Sequence, residues 1–242
     1  MKNKNVKVER LVTQKGNKRR QFLKMSGLAI AGSGLILSCS DDDDFTENVP
    51  DLFDLGSGDL GVLNYAYALE QLEADFYTKV VNGSYWSGAA AEEKQILEDL
   101  YNHEVNHREF FKAALNANFD AELVLPESLE FDFSTVNFSN RDSVLETAQL
   151  LEDTGVKAYN GAGKLIETAA YLVIAGKIVS VEARHAAAIR SIRGNDMDDF
   201  KLFAGDDIVD SQSGLDGAEN PSVIINAAKD FFVTPFTANQ LP

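Results

Sequence analysis

The 242-residue chain carries 38 Asp and Glu against 22 Lys and Arg, a formal charge of −16 at neutral pH. So acidic a surface repels nucleic acid and anionic lipid headgroups and attracts cations, metal ions among them. The lone cysteine, Cys39, excludes an internal disulfide and leaves no thiolate set for a soft metal.

Residues 1–38 read as a cleaved signal. Lys18-Arg19-Arg20-Gln21-Phe22-Leu23-Lys24 forms a basic region, followed by an apolar run from Met25 to Leu37 and then Ser38-Cys39. The run is shorter than the ~20 residues a membrane-spanning helix needs. The paired arginines resemble a twin-arginine export signal, and Ile36-Leu37-Ser38-Cys39 resembles a bacterial lipoprotein cleavage box. These resemblances imply lipidation of Cys39. They place the protein outside the cytoplasm, anchored by lipid to the outer membrane, on its periplasmic side or at the cell surface. Residues 39–57 read as an acidic tether, with Asp41 to Asp44, Pro50 and Gly56. Residues 1–38 hold nine basic residues and one acidic one, so the part beyond the signal carries a net charge of −24.

Beyond the tether, apolar residues recur at the helical period and alternating strands are few. The first segment runs from Asp59 to Val81 and stops at Asn82-Gly83. One stripe holds Val62, Ala66, Leu69, Glu73, Phe76 and Val80, and its neighbour holds Leu63, Tyr67, Glu70, Ala74 and Tyr77. The second segment, Ala90 to Leu115, places Ile96, Leu97, Leu100, Glu104, His107, Phe111 and Ala114 on one side. The third starts after an N-cap at Asn140 and reaches Ile166, with Leu145, Ala148, Glu152, Gly155, Tyr159 and Ala162 in line. The fourth, Thr168 to Arg193, lines up Ala175, Ile178, Glu182, His185, Ile189 and Ile192 and ends at Gly194-Asn195.

A short loop at Gly83–Gly88 joins the first pair of helices, and a tight break near Gly163–Glu167 joins the second. Between the pairs, Asn116 to Ser139 is long enough to cross a bundle from end to end. Hairpin, long crossover, hairpin predicts an all-α, ferritin-like four-helix bundle over residues 58–195. Residues 196–242 form a C-terminal extension. In it, 195–220 read as loop and Pro221 to Phe232 as a short fifth helix, with Phe231, Phe232 and Phe236 packing on the bundle.

Each long stripe carries a Glu where an apolar residue is expected, and two of the three histidines sit three residues after one. Glu104-Val-Asn-His107 and Glu182-Ala-Arg-His185 each put a carboxylate beside an imidazole, because positions i and i+3 share a helix face. Glu152 comes from the third helix and Glu70 or Glu73 from the first. Buried carboxylates without a cation repel one another. Two divalent ions would offset four carboxylate charges with both histidines neutral, and the oxygen and nitrogen donors suit iron or manganese and tolerate zinc. The string His103-Glu104-Val-Asn-His107 also fits a zinc-protease motif. That reading leaves His185 and the second pair unexplained, so His103 is expected either to pack beside the site or to hydrogen-bond a ligand.

Four motifs carry a family resemblance: Leu69-Glu70-Gln71-Leu72-Glu73-Ala74-Asp75-Phe76-Tyr77, Glu104-Val-Asn-His107, Leu151-Glu152-Asp153-Thr154-Gly155-Val156-Lys157-Ala158-Tyr159 and Val181-Glu182-Ala183-Arg184-His185. Over residues 58–195 the chain resembles ferritin-like proteins. It is similar in pattern to bacterioferritin and rubrerythrin, and most to the exported ferritin-like domains that include desiccation-related proteins. The resemblance implies a pair of iron ions, bridged by Glu104 and Glu182. His107 and His185 would be terminal nitrogen ligands and Glu152 a terminal carboxylate. On the first helix it picks Glu70, because an aromatic follows seven residues later at Tyr77, whereas the apolar stripe favours Glu73. Fe(II) oxidation or reaction with dioxygen or peroxide is the implied activity. The alternative is a ferritin-like scaffold or stress-protection module without metal turnover.

Overall fold

The computed structural model describes residues 52–194 and 200–242. The signal at 1–38, Cys39 and the tether up to residue 51 lie outside the described residues. Four long helices dominate: α1 (Gly58–Val81), α3 (Ala91–Asn118), α4 (Arg141–Ala162) and α5 (Ala169–Arg193). Short helix α2 (Ser84–Gly88) fills the first loop, and α6 (Phe200–Ala204) and α7 (Pro221–Ala228) follow the bundle. Helix α1 packs chiefly on α3, and α4 on α5. The fold is an all-α bundle of two hairpins. Among the described residues no helix is long and apolar enough to cross a membrane.

Local chemistry sets the helix ends. The Asn140 side chain accepts from the Ser143 amide at 2.9 Å, the expected N-cap. Helix α4 stops at Ala162, short of the expected Ile166, because the chain tightens into a 3-10 turn at Gly163–Leu165. Likewise the fifth helix ends at Ala228, and Lys229–Phe231 continue as a 3-10 turn. Two segments read as loop contain helix: α2, and α6 within 195–220. Each is a single turn, too short to show a period.

The crossover is pinned by amides on α1. Asn64 Nδ2 donates to the Leu123 carbonyl at 2.8 Å, and Asn64 Oδ1 accepts from the Leu125 amide at 2.9 Å. Gln71 Nε2 donates to the Pro126 carbonyl at 3.1 Å. Leu125, Leu129 and Phe133 then bury their side chains against the bundle.

The chain just before α1 is bound to the fold rather than trailing from it. Strand β1 (Phe53–Asp54) pairs in parallel with β2 (Phe236–Thr237), and Leu55 is fully buried. Gly56 and Gly58 adopt φ of +85° and +57°, the left-handed region that lets the chain turn into α1. The C-terminal segment crosses α4 at Gly161, where an added Cβ would lie 1.6 Å from the Glu219 carbonyl oxygen. Only glycine permits that approach.

The core divides into two apolar clusters. One holds Val62, Leu69, Phe111, Leu115, Ala162 and Ile178 among others; the second holds Leu72, Phe76, Leu97, Leu100, Val144, Leu145 and Ile189. Between them in sequence, on all four long helices, come the buried Glu70, Glu104, Glu152, Glu182 and His185.

Candidate metal centre

Two sets of four side chains converge. Glu70, Glu104, His107 and Glu182 form one; Glu104, Glu152, Glu182 and His185 form the other. Within each set the donor atoms lie within 4.8 Å of one another. Glu104 and Glu182 belong to both. Each set thus has one imidazole, one carboxylate of its own and two shared carboxylates.

The imidazoles face inward through Nδ1. His107 Nδ1 stands 2.9 Å from Glu182 Oε1, 3.4 Å from Glu70 Oε2 and 3.5 Å from Glu104 Oε2. His185 Nδ1 stands 2.7 Å from Glu104 Oε1, 3.3 Å from Glu182 Oε2 and 3.4 Å from Glu152 Oε2. On its far side His185 Nε2 lies 2.9 Å from His103 Nδ1, and the two rings stack. His103 is therefore a partner of His185 and belongs to neither set, which removes the zinc-protease arrangement. A ligating histidine held through its other ring nitrogen keeps its tautomer and orientation.

Each unshared carboxylate is held by a tyrosine from the opposite hairpin. Tyr77 Oη of α1 donates to Glu152 Oε1 at 2.5 Å, and Tyr159 Oη of α4 donates to Glu70 Oε1. Burial, with the neighbouring carboxylate adding to it, pushes both phenols well above their ordinary range, so they remain donors. In both pairs the tyrosine follows a glutamate by seven residues on its own helix: Glu70 with Tyr77, Glu152 with Tyr159. The tyrosine fixes one oxygen and leaves Oε2 facing the centre. Changing Tyr77 to Phe is expected to lower metal affinity about 10–100-fold, the usual cost of losing such a support; competition with a chelator measures it.

The remaining polar atoms fit a cation. Both oxygens of Glu104 and of Glu182, Glu70 Oε2, Glu152 Oε2 and both Nδ1 atoms are buried and make no well-formed hydrogen bond. Buried polar atoms seldom stay unsatisfied, and this set of carboxylates and imidazoles is a donor set for hard or borderline divalent metals.

Glu73 stands apart. It is buried but lies in neither set. Its Oε1 occupies the space over Gly155, 3.2 Å from where a Cβ would sit. Gly155 is the counterpart of Glu73, since each lies three residues beyond the unshared glutamate of its helix. Of the two α1 candidates, the structure brings Glu70 into the cluster and leaves Glu73 beside it.

Without metal, the charges are unevenly placed. Burial raises Glu104 well above the usual carboxylate range, and Glu182 beside it adds repulsion. Burial likewise raises Glu73 far up and Glu152 to about 7. For Glu182 burial is outweighed by His107 and His185, which hold it down at about 2. Burial also fails to depress His107, which Glu104, Glu182 and Glu70 lift to about 12. Glu182 thus acts as counter-ion to two imidazoliums.

A pH dependence follows. Glu152 binds its proton more tightly folded than unfolded, so its contribution is present below about 4.5 and is lost as pH rises toward about 7. His107 acts in the same direction between 6.5 and about 12. Glu182 acts oppositely, but only below 4.5. Metal-free protein should therefore lose stability between about pH 5 and pH 8, by ~1 kcal/mol per pH unit, because each extra proton held by the fold contributes up to about 1.4. Denaturant titrations across that range check it.

Two features escaped the sequence reading. Arg190 is buried between α4 and the segment after α5, donating to both Asp153 oxygens at 3.0 and 2.6 Å and to Asp207 Oδ1 at 2.7 Å. Its signal was present, since Arg190 follows Glu182 and Ala186 at four-residue spacing on the buried face. The other is which carboxylate each phenol holds: the Glu-Tyr spacing marks Tyr77 and Tyr159 but not their partners across the bundle.

A four-helix bundle of two hairpins, with two Glu-x-x-His pairs and two further glutamates turned into its core, is the architecture of a ferritin-like carboxylate protein. The chain belongs to that family: residues 58–195 match the ferritin-like domain. A comparison with curated proteins found no match.

Proposed function

We propose that the protein is an exported, lipid-anchored ferritin-like protein that holds two iron ions and oxidises Fe(II) or reacts with dioxygen or peroxide. The observation that carries the reading is the sharing of Glu104 and Glu182 between two four-donor sets. His107 and Glu70 would complete one site, His185 and Glu152 the other. Two iron ions so close together would share the electrons passed to dioxygen or peroxide.

The chain's own residues prepare the site. Tyr77 and Tyr159 aim the unshared carboxylates, and His103 orients His185. The two apolar clusters wall the centre off on either side along the bundle axis. Glu70, Glu104, Glu152 and Glu182 are fully buried, whereas His107 is partly and His103 well exposed. The signal-like residues 1–38 and Cys39 support export and lipid attachment.

Metal content tests the reading. The full chain, reconstituted anaerobically with Fe(II), should hold about two ions. Its melting temperature should rise by about 10–20 °C, since each ion at a hundred times its Kd adds ~2.7 kcal/mol, two add about 5.4, and each kcal/mol moves a protein of this size by ~2–4 °C. A chain that binds no metal, with a melting point indifferent to Fe(II) and Mn(II), overturns it.

A further inference from the structure

An apolar cavity adjoins the centre at the end of the bundle where α1 begins. It measures about 60 Å³ and is lined by Val62 and Leu69 of α1, Phe110 and Ala114 of α3, Tyr159 of α4 and Ile174 of α5, among others. Its walls are almost wholly apolar. The exposed Phe110 forms part of the wall and marks a side that reaches solvent.

The volume is several times the ~10–15 Å³ that one water needs, yet water also needs two to four polar partners to remain. This lining offers few: the Tyr159 hydroxyl is committed to Glu70 and the Asp59 carboxylate to the Glu167 and Thr168 amides, and the buried, unpartnered Tyr65 hydroxyl falls short of the two to four that hold a water. Such cavities stay dry and take up small apolar molecules. Tyr159 is at once a wall of the cavity and the support of an unshared carboxylate. A single phenol ring therefore links the cavity to the candidate centre.

Hydrated Fe(II) and peroxide do not enter such a space without losing their hydrogen bonds to water. A small uncharged gas does. The polar approach lies one and two turns further back along α3 from Phe110, at His107 and the exposed His103.

We propose that this cavity is the port through which dioxygen reaches the centre, with cation traffic confined to the histidine side. The proposal rests on the reading of the site as a redox metal centre, and it selects dioxygen over peroxide as the oxidant using this route.

Xenon is the probe for the cavity, and it needs no metal. With the full chain in xenon-saturated buffer, NMR shift changes should concentrate on the methyl groups of Val62, Leu69 and Ile174. Ala114→Phe, which fills the cavity from α3, should abolish them; Ala175→Leu does the same from α5 should the first variant fold poorly. After Fe(II) loading, the plugged variant should keep the metal content of the unmodified chain. Its Fe(II) oxidation by dioxygen should slow about tenfold, equivalent to ~1.4 kcal/mol on the barrier, while oxidation by hydrogen peroxide stays unchanged. No xenon shifts at these methyls overturn the proposal, as does a plugged variant that excludes xenon but keeps its dioxygen rate. Equal slowing with both oxidants also overturns it, because the plug then disturbs the centre itself. If the unmodified chain binds no iron, the metal reading falls and the oxidant port falls with it, and the xenon result tells the two failures apart.

Discussion

Replacing Glu104 by glutamine is expected to empty both candidate metal sites and at the same time to stabilise the metal-free protein. The two effects come from one geometry. Glu104 serves both four-donor sets, so its loss leaves each with a neutral amide in place of a shared carboxylate. In the metal-free state the same carboxyl is buried against Glu182 and is pushed well above its usual range. Removing its charge relieves that cost. Each pKa unit corresponds to about 1.4 kcal/mol, and each kcal/mol raises the melting temperature by ~2–4 °C in a protein of this size. A rise of several degrees near pH 8 is the expected result, with metal content falling from the proposed two ions per chain to none.

Glu182 should behave differently, although it is also shared. Its carboxylate is held ionised by His107 and His185. Glu182→Gln therefore empties both sites but leaves two buried imidazoles without their counter-charge, and the metal-free protein should melt lower. Glu152→Gln touches one set only and should spare about one ion. Elemental analysis beside thermal unfolding reads all three variants. A Glu104→Gln protein that keeps two ions, or that melts below the unmodified chain without metal, would refute the shared-carboxylate arrangement. Sites adapted to bind commonly trade stability for function, and opposite signs for Glu104 and Glu182 would locate that trade at one carboxylate.

Much of the bundle was legible because helices announce themselves by period and because a charged residue in an apolar stripe is conspicuous. The Glu-x-x-His pairs, Glu152 and the Asn140 cap were all readable on those terms. Periodicity failed at Glu70 and Glu73 for a physical reason. Helix α1 lies in the middle of the fold and is buried nearly all round, so both of its stripes are core. The distinction came from the repeated spacing of glutamate to tyrosine, which only the opposite hairpin makes meaningful. Contacts between distant segments left even less trace. Phe53 pairs with Phe236, and Leu55 inserts into the core from a stretch whose composition suggests a tether. Two-residue strands have no period, and nothing local in a sequence marks a partner at the other end of the chain.

Asp153→Ala is expected to destabilise the protein by about 3–5 kcal/mol, the cost of leaving a buried charge short of its partner. Arg190 is 1 % exposed and its guanidinium forks onto both oxygens of Asp153. Such bidentate pairing is among the stronger polar contacts. Asp207 alone, 41 % exposed on its side chain, is a poorer counter-charge. The double variant Asp153→Ala, Arg190→Met should recover most of the loss, because an apolar side chain of similar length fills the space without a charge to satisfy. The cluster also lies next to the centre along both helices. Asp153 follows Glu152 directly, and Arg190 lies five residues beyond His185, so one ion pair braces α4 against α5 beside one donor set. The single variant should therefore weaken metal binding on the Glu152 side before that on the Glu70 side. Denaturant unfolding of the single and double variants, paired with metal titration, checks both parts. Additive losses in the double variant would show that Asp153 and Arg190 act independently and that the fork does not brace the hairpin.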